Sequence, residues 1–152
     1  ALDPGVTTGH AVGIIQDGLM TISADQSLWS HQDLWDALGD INPDVIVCES
    51  FEYRNQSRAG LVLYSCELIG LVKLLTEMYR SVELCMQTAS VGKGYYSNTL
   101  LKKHGVYIAG KPHGMDALRH LLQWYTFGPG YPHNTKGSKS RTAFRRLSQQ
   151  GC

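Results

Sequence analysis

The sequence has few cysteines and no long apolar run. Its 152 residues include four cysteines, none of them in a Cys-x-x-Cys pair, and three lie in apolar stretches where a thiol behaves as a small hydrophobic group. No run of 18 apolar residues is present, and the first residues form neither the charged region nor the cleavage site of a secretory signal. We therefore expect a reduced, cytoplasmic protein without a membrane span.

Charge is scarce and unevenly distributed. Charged residues make up 18% of the chain, and the formal net charge is only +1. Residues 1–60 carry nine acidic and two basic residues, whereas residues 117–152 carry six basic residues and no acidic one. The basic positions after residue 134 are Lys136, Lys139, Arg141, Arg145 and Arg146. This end is either a phosphate-contacting arm or a solvated tail, and its composition leaves both readings open.

Hydrophobic patterning predicts a mixed α/β domain followed by that tail. With 43% hydrophobic residues, the chain is long enough for one core, so we expect one domain over residues 1–133 and a flexible basic tail over residues 134–152. Two apolar runs flank Asp17-Gly18, which predicts a hairpin. Only Ala1 and Leu2 precede Asp3 in the first strand, so we expect a few more residues before Ala1.

The later elements are predicted to alternate between helices and strands. The expected order is a helix capped by Ser30 over 31–39, a strand over 44–48, a long helix over about 58–80, a strand over 84–86, a short helix between Ser97 and Gly105, an extended piece over 107–109 and a last helix over about 112–126. Antiparallel strands followed by this alternation predict a mixed sheet with flanking helices.

Acidic residues close two of the predicted strands. Asp3 ends the first, and Glu49 directly follows the apolar run 45–48, at the end where open α/β sheets bind ligands. On the last helix, His113 and Asp116 share one face. Taken alone, each acid also has a purely structural interpretation. Asp3 would be a turn residue, Glu49 an exposed strand-end residue, and Asp116 a charge stabilised by the helix dipole. Together, their oxygen atoms suit Mg²⁺ or Mn²⁺ and indicate metal-dependent phosphoryl chemistry.

In this order, the residues resemble the RuvC-type Holliday junction resolvases, especially their bacteriophage branch, within the ribonuclease-H-like nucleases. Asp3-Pro4-Gly5 followed by Gly9, the strand-ending Glu49 and the stretch His113-x-x-Asp116-Ala117-Leu118 carry the resemblance, which spans about residues 1–127. It implies a ribonuclease-H-like mixed five-stranded sheet flanked by helices. It also implies a DNA endonuclease of recombination and repair, located in the host cytoplasm if the protein is viral.

The resemblance further implies that Asp3, Glu49, His113 and Asp116 are catalytic and hold two Mg²⁺ or Mn²⁺ ions. One ion activates water and the other stabilises the departing 3′ oxygen, so paired nicks in the junction leave 5′-phosphate and 3′-hydroxyl ends. Repulsion among the three carboxylates would be relieved by the ions. Whether His113 ligates an ion or orients the water stays open.

Two further segments are candidates for DNA contact. Lys93 resembles the family lysine that lies near the scissile phosphate. The loop after Glu49 combines aromatic and basic residues that suit stacking on unpaired bases and binding of phosphates. These residues are Phe51, Tyr53, Arg54 and Arg58. The resemblance implies an aromatic wedge here, either Phe51 or Tyr53, and ordinary surface packing is the alternative.

The family dimerises through its long helix, here about 58–80, and the apolar breadth of this helix favours a homodimer over packing on the sheet alone. Three other functions stay open. A broader nuclease would also cut flaps and forks, and a non-catalytic module would bind junctions without cutting. An actin-like ATPase fragment would bind nucleotide, since the turn from Gly5 to Gly9 resembles the first phosphate loop of that class.

Overall fold

Six strands and five helices make up the described part of the chain, residues 1–17, 19–51, 63–128 and 144–146 of a computed structural model. The strands are β1 (Leu2–Asp3), β2 (Thr8–Gln16), β3 (Leu19–Ser27), β4 (Val45–Glu49), β5 (Glu83–Gln87) and β6 (Phe144–Arg146). The helices are α1 (His31–Ile41), α2 (Tyr64–Met78), α3 (Ala89–Tyr95), α4 (Asn98–Lys103) and α5 (Pro112–Phe127). None of these described helices is long and apolar enough to cross a membrane.

The strands form one sheet in the order β5-β4-β1-β2-β3-β6. β1 is parallel to β4 and antiparallel to β2, and β4 is parallel to β5. The predicted mixed five-stranded sheet, β1 to β5 with flanking helices, is confirmed. β6 adds a short edge strand parallel to β3 from within the basic end. The division of the chain at residue 134 stays a prediction, because residues 134–143 and 147–152 lie outside the described part.

Local signals account for the first elements. β2 and β3 are antiparallel partners in the register Gln16↔Leu19, so the predicted hairpin is confirmed, and Asp17 has the positive φ of 51° that a two-residue hairpin turn favours. α1 begins at the predicted cap. The Ser30 hydroxyl accepts the Asp33 N–H at 3.1 Å, and the Asp33 carboxylate accepts the Ser30 N–H at 2.8 Å.

At three points, the structure of the second half of the chain differs from the predictions or adds to them. The extended piece predicted over 107–109 pairs with no described strand and ends in a turn at Ala109, and the Ile108 N–H donates to the Met115 sulfur at 3.3 Å. Helix α3 was not predicted, because its glycines, Gly92 and Gly94, lower helix propensity. α2 covers only Tyr64–Met78 of the range predicted for the long helix, and residues 58–62 of that range lie outside the described part.

The core has one layer on each face of the sheet. On one face, α5 packs on the central strands through residues such as Met20, Leu118 and Tyr125. On the other face, α1 and α2 cover β1 and β4 through Leu34 and Val72, among others. The carboxyl ends of β1 and β4 and the first turns of α5 therefore meet on the α5 side of the sheet.

Candidate active site

Strand alternation turns the two predicted strand-end acids towards α5. Successive side chains of a strand point to opposite faces. Val47 packs in the α5 layer, so Glu49, two residues later, lies on the same face. Leu2 packs in the α1 and α2 layer, so the next residue, Asp3, also points to the α5 face. The parallel pairing of Leu2 with Cys48 places the two acids beside each other.

Two glycines bring the start of α5 against the sheet. A Cβ atom at Gly9 of β2 would lie 2.0 Å from the carbonyl oxygen of His113, and one at Gly114 would lie 2.6 Å from that of Asp25. Since no side chain fits in either place, backbone meets backbone there. The His113 N–H donates to the Gln26 side chain at 3.0 Å, which fixes the first turn of α5.

Asp3 is paired with the predicted histidine. His113 Nδ1 lies 2.9 Å from Asp3 Oδ2. Burial raises the pKa of Asp3, and the neighbouring charges of Glu49 and Asp116 raise it further, while the bond to His113 acts in the opposite direction. Glu49 and Asp116, the other two acids predicted from the sequence, are thus near enough to Asp3 to raise its pKa.

Glu49 is held by a histidine that the sequence analysis missed. His120, almost fully buried on α5, places Nε2 2.8 Å from Glu49 Oε2. Its other ring nitrogen, Nδ1, lies 2.8 Å from the side-chain oxygen of Gln87, the last residue of β5. Each of the two strand-end carboxylates is therefore bonded to a histidine of the same helix.

Asp116 lies between two basic residues. Lys93 Nζ of α3 is 2.9 Å from Asp116 Oδ2, and Arg119 donates to Oδ1 at 2.5 Å. The bond to Asp116 raises the pKa of Lys93. Arg119 also donates to the Tyr96 carbonyl at 2.8 Å and to the Asn98 side chain, so it ties Asp116 to the segment between α3 and α4.

A cleft of about 420 Å³ opens beside these groups. Its walls include Asp3 and Glu49 from the strand ends, Lys93 from α3 and Phe51 from the start of the loop after β4. The remaining lining residues are Pro4, Ser50, Ser65, Ile69, Ala89 and Ser90. The lining of the cleft thus combines two carboxylates with a cation and an aromatic ring. This combination suits a phosphodiester next to an unpaired base.

The other predicted DNA contacts are only partly within the described residues. Tyr53, Arg54 and Arg58 lie outside them, as do the three tail residues Lys136, Lys139 and Arg141. Arg145 and Arg146 belong to β6, where they pair with Thr21 and Ile22 along the backbone. Their roles stay predictions.

The carboxylate oxygens of the site are chemically suitable ligands for a divalent metal ion. Among the described residues, no three acidic, histidine or cysteine side chains are already spaced to hold an ion, and each of the three carboxylates is bonded to a basic side chain. The ligand type is nonetheless the one that Mg²⁺ and Mn²⁺ prefer. Burial and, to a smaller degree, repulsion by the neighbouring carboxylates raise the pKa of Asp3, and a bound cation would offset both effects.

Two of the three residues that the sequence analysis missed, His120 and Arg119, lie at helical spacing from predicted residues. His113, Asp116 and His120 lie at intervals of three and four, so one face of α5 presents all three. That spacing was a sufficient signal for His120. Arg119, three residues after Asp116, had the same signal. Gln87 had none, because its role depends on the pairing of β5 with β4.

The fold of this chain is similar to that of solved RuvC structures. One similar structure is T. thermophilus RuvC in complex with a Holliday junction substrate, with a TM-score of 0.59, 17% sequence identity and coverage of 80% of this chain and 89% of that chain. A second, a Thermus thermophilus RuvC structure, has a TM-score of 0.54 at the same identity and coverage. No protein-family model matches the sequence, and no curated protein is significantly similar to it. The likeness therefore establishes a RuvC-like fold.

Proposed function

We propose that this chain is a metal-dependent endonuclease that resolves Holliday junctions by paired nicks, leaving 5′-phosphate and 3′-hydroxyl ends. The observation that supports the proposal is a cleft lined by Asp3, Glu49 and Lys93, with Asp116 bonded to Lys93, on a fold similar to that of RuvC. Membership of the bacteriophage branch is part of the proposal and rests on the sequence motifs alone.

In the proposed site, Asp3, Glu49 and Asp116 hold the Mg²⁺ or Mn²⁺ ions, with His113 beside them. When bound, such ions supply a water of lowered pKa and stabilise the charge on the leaving oxygen. His113 binds Asp3 through Nδ1, which leaves Nε2 as the ring nitrogen for an ion or a water molecule. In this proposal Lys93 exchanges Asp116 for a DNA phosphate, which its exposure of more than half and its position in the lining of the cleft support.

Binding of branched DNA is assigned to the cleft and to the basic end of the chain. Phe51 is an exposed aromatic at the cleft, which supports a stacking role for the loop that follows β4.

For the tail, replacing Lys136, Lys139 and Arg141 by glutamine leaves β6 intact and removes three positive charges. Junction affinity is expected to fall, and the slope of log affinity against log salt to flatten by up to about 0.9 per lost contact. An unchanged slope would show that the tail does not contact phosphates.

The first test of the function uses a labelled four-way junction, a matched linear duplex and a flap, each with Mg²⁺, Mn²⁺ or chelator. Metal-dependent nicks at symmetric positions in the junction are expected, and the Asp116→Asn variant should abolish them. Cutting of the flap as well would favour the broader debranching nuclease. Tight binding without cutting would indicate a non-catalytic module, and nucleotide binding without preference for branched DNA would favour the ATPase reading.

A further inference from the structure

We propose that His120 is a positioning residue. It holds Glu49 through the carboxylate oxygen Oε2, so that the other oxygen, Oε1, is the one left to bind a metal ion. The inference rests on the proposed function, because it takes Glu49 to be a metal ligand. It assigns a role to a buried polar residue that the proposed mechanism does not otherwise use.

The surroundings of His120 show why it acts on Glu49. The side chain is 1% exposed, and both ring nitrogens have partners at 2.8 Å, Glu49 on one side and Gln87 on the other. Glu49 and Gln87 are register partners on the parallel strands β4 and β5. A single imidazole from α5 thus bridges the last residues of two adjacent strands.

The hydrogen bond to Glu49 has a defined direction. An ionised carboxylate only accepts hydrogen bonds, so His120 Nε2 carries the proton that points at Oε2. The Gln87 oxygen that faces Nδ1 only accepts, so Nδ1 donates to it when both ring nitrogens carry protons, and Nδ1 accepts from Gln87 only if the amide is turned to present its N–H. Both arrangements give Glu49 the same donor, so its orientation does not depend on the charge state of His120.

This donor restricts a side chain that is otherwise flexible. A glutamate has three rotatable side-chain bonds, so fixing its carboxylate in one orientation costs conformational entropy. With Oε2 bonded to His120, that ordering is complete before any ion binds. No other side-chain hydrogen bond from the described residues reaches Glu49, so Oε1 is the oxygen that remains for an ion. Loss of such an outer hydrogen bond typically weakens metal binding 10- to 100-fold.

The test measures Mn²⁺ binding by calorimetry in the absence of DNA, and nicking of a four-way junction as a function of Mn²⁺. His120→Leu, which is similar in size and apolar, is expected to raise the Mn²⁺ dissociation constant about 10- to 100-fold. The Mn²⁺ concentration for half-maximal nicking should rise by the same factor, while junction binding in chelator stays unchanged. His120→Gln, whose amide can donate to Glu49, should recover part of the loss.

A folded His120→Leu protein with wild-type Mn²⁺ affinity would overturn the inference and leave the proposed function intact. If both His120 variants fail to fold, Gln87→Met decides, since it removes only the outer partner of His120. A several-fold loss of Mn²⁺ affinity is then expected, and no loss would overturn the inference. Wild-type protein that neither binds Mn²⁺ nor nicks the junction would overturn the proposed function and this inference together.

One further measurement does not depend on cutting. In protein labelled with ¹⁵N-histidine, the Nε2–H signal of His120 should be protected from solvent exchange and should shift in the Glu49→Gln variant. A rapidly exchanging Nε2–H, or a signal indifferent to Glu49, would show that the hydrogen bond is absent in solution and would overturn the inference whatever the activity.

Discussion

At Asp3, burial and two neighbouring carboxylates act on the same side chain. The raised pKa means that the folded protein holds the Asp3 proton more tightly than the unfolded chain does. The resulting stabilisation is therefore fully present below the unfolded pKa and is lost as the pH rises through the folded one. Above its folded pKa, the ionised Asp3 destabilises the metal-free protein.

Asp3→Asn is expected to raise the thermal midpoint at pH 7 in chelator and to reduce the gain in midpoint on adding Mn²⁺. Asp25→Asn is the matched control, because its bond to Lys111 lowers the pKa of Asp25, and losing that charge should lower the midpoint at pH 7. The comparison uses calorimetric scans at pH 4 and pH 7. A lower midpoint for Asp3→Asn at pH 7 would contradict the account of repulsion at the site.

The two cations on Asp116 differ in burial, and their effects should differ accordingly. The Arg119 side chain is 11% exposed and that of Lys93 is 56% exposed. Arg119→Met leaves Asp116, the Tyr96 carbonyl and Asn98 without that donor, and we expect a loss of about 3 kcal/mol in urea unfolding. Lys93→Met should cost less than about 1 kcal/mol and instead slow nicking. Equal losses of stability would contradict this division of roles.

The sequence identified the acids of the site more readily than the groups that hold them. Asp3 and Glu49 follow short apolar runs, and that position alone predicts a strand end facing a ligand. The His120 and Arg119 contacts depend on the face of α5 that meets the sheet, which helical spacing indicates but does not prove. The partner of His120 on β5, Gln87, depends on strand pairing between distant segments and was beyond any local pattern.

Among the elements, α5 sets the geometry of the site because its first turn contacts β2 and β3 through backbone atoms. We expect Gly9→Ala to destabilise the protein strongly and to abolish nicking, since its Cβ would overlap the His113 carbonyl. Gly39→Ala in α1 is the control, because no atom lies within 4 Å of that position and alanine favours a helix by about 0.5–1 kcal/mol. Urea unfolding of both variants gives the comparison, and a neutral Gly9→Ala would contradict the close approach.

The elements predicted correctly are those with both a start signal and a periodic pattern. The hairpin at Asp17-Gly18, the Ser30 cap of α1 and Pro112 at the first position of α5 are such cases. The extended piece over 107–109 had apolar residues but no periodicity to separate a strand from an irregular core segment. The conformation of this segment depends on tertiary contacts with α5, which a local sequence pattern does not show.

At the scale of the whole molecule, α2 has apolar residues on two sides. Leu68 and Val72 are buried in the core layer that α1 and α2 share, and Leu75 is also buried. Leu74 and Met78, one turn apart on another side of the helix, are 50% and 57% exposed. This second face favours the homodimer predicted from the sequence, which would supply two cleavage sites for a near-symmetric four-way junction.

The variant Leu74→Glu, Met78→Glu is expected to weaken dimerisation at least 10-fold, because each substitution removes an apolar contact worth about 1.5–3 kcal/mol. Sedimentation equilibrium measures the change, with Lys103→Glu at the end of α4 as the control for added negative charge. A wild-type protein that stays monomeric at high concentration would contradict the proposed dimer.

The most direct test of the central claim is cleavage of a supercoiled plasmid that extrudes a cruciform. With Mg²⁺, two nicks made within one encounter convert the plasmid to a linear form, and we predict this product for the wild type. The Asp116→Asn variant should give neither linear nor nicked product while still binding the cruciform. Nicked circles as the only wild-type product, or cutting that persists in Asp116→Asn, would contradict a paired, carboxylate-dependent resolution of junctions.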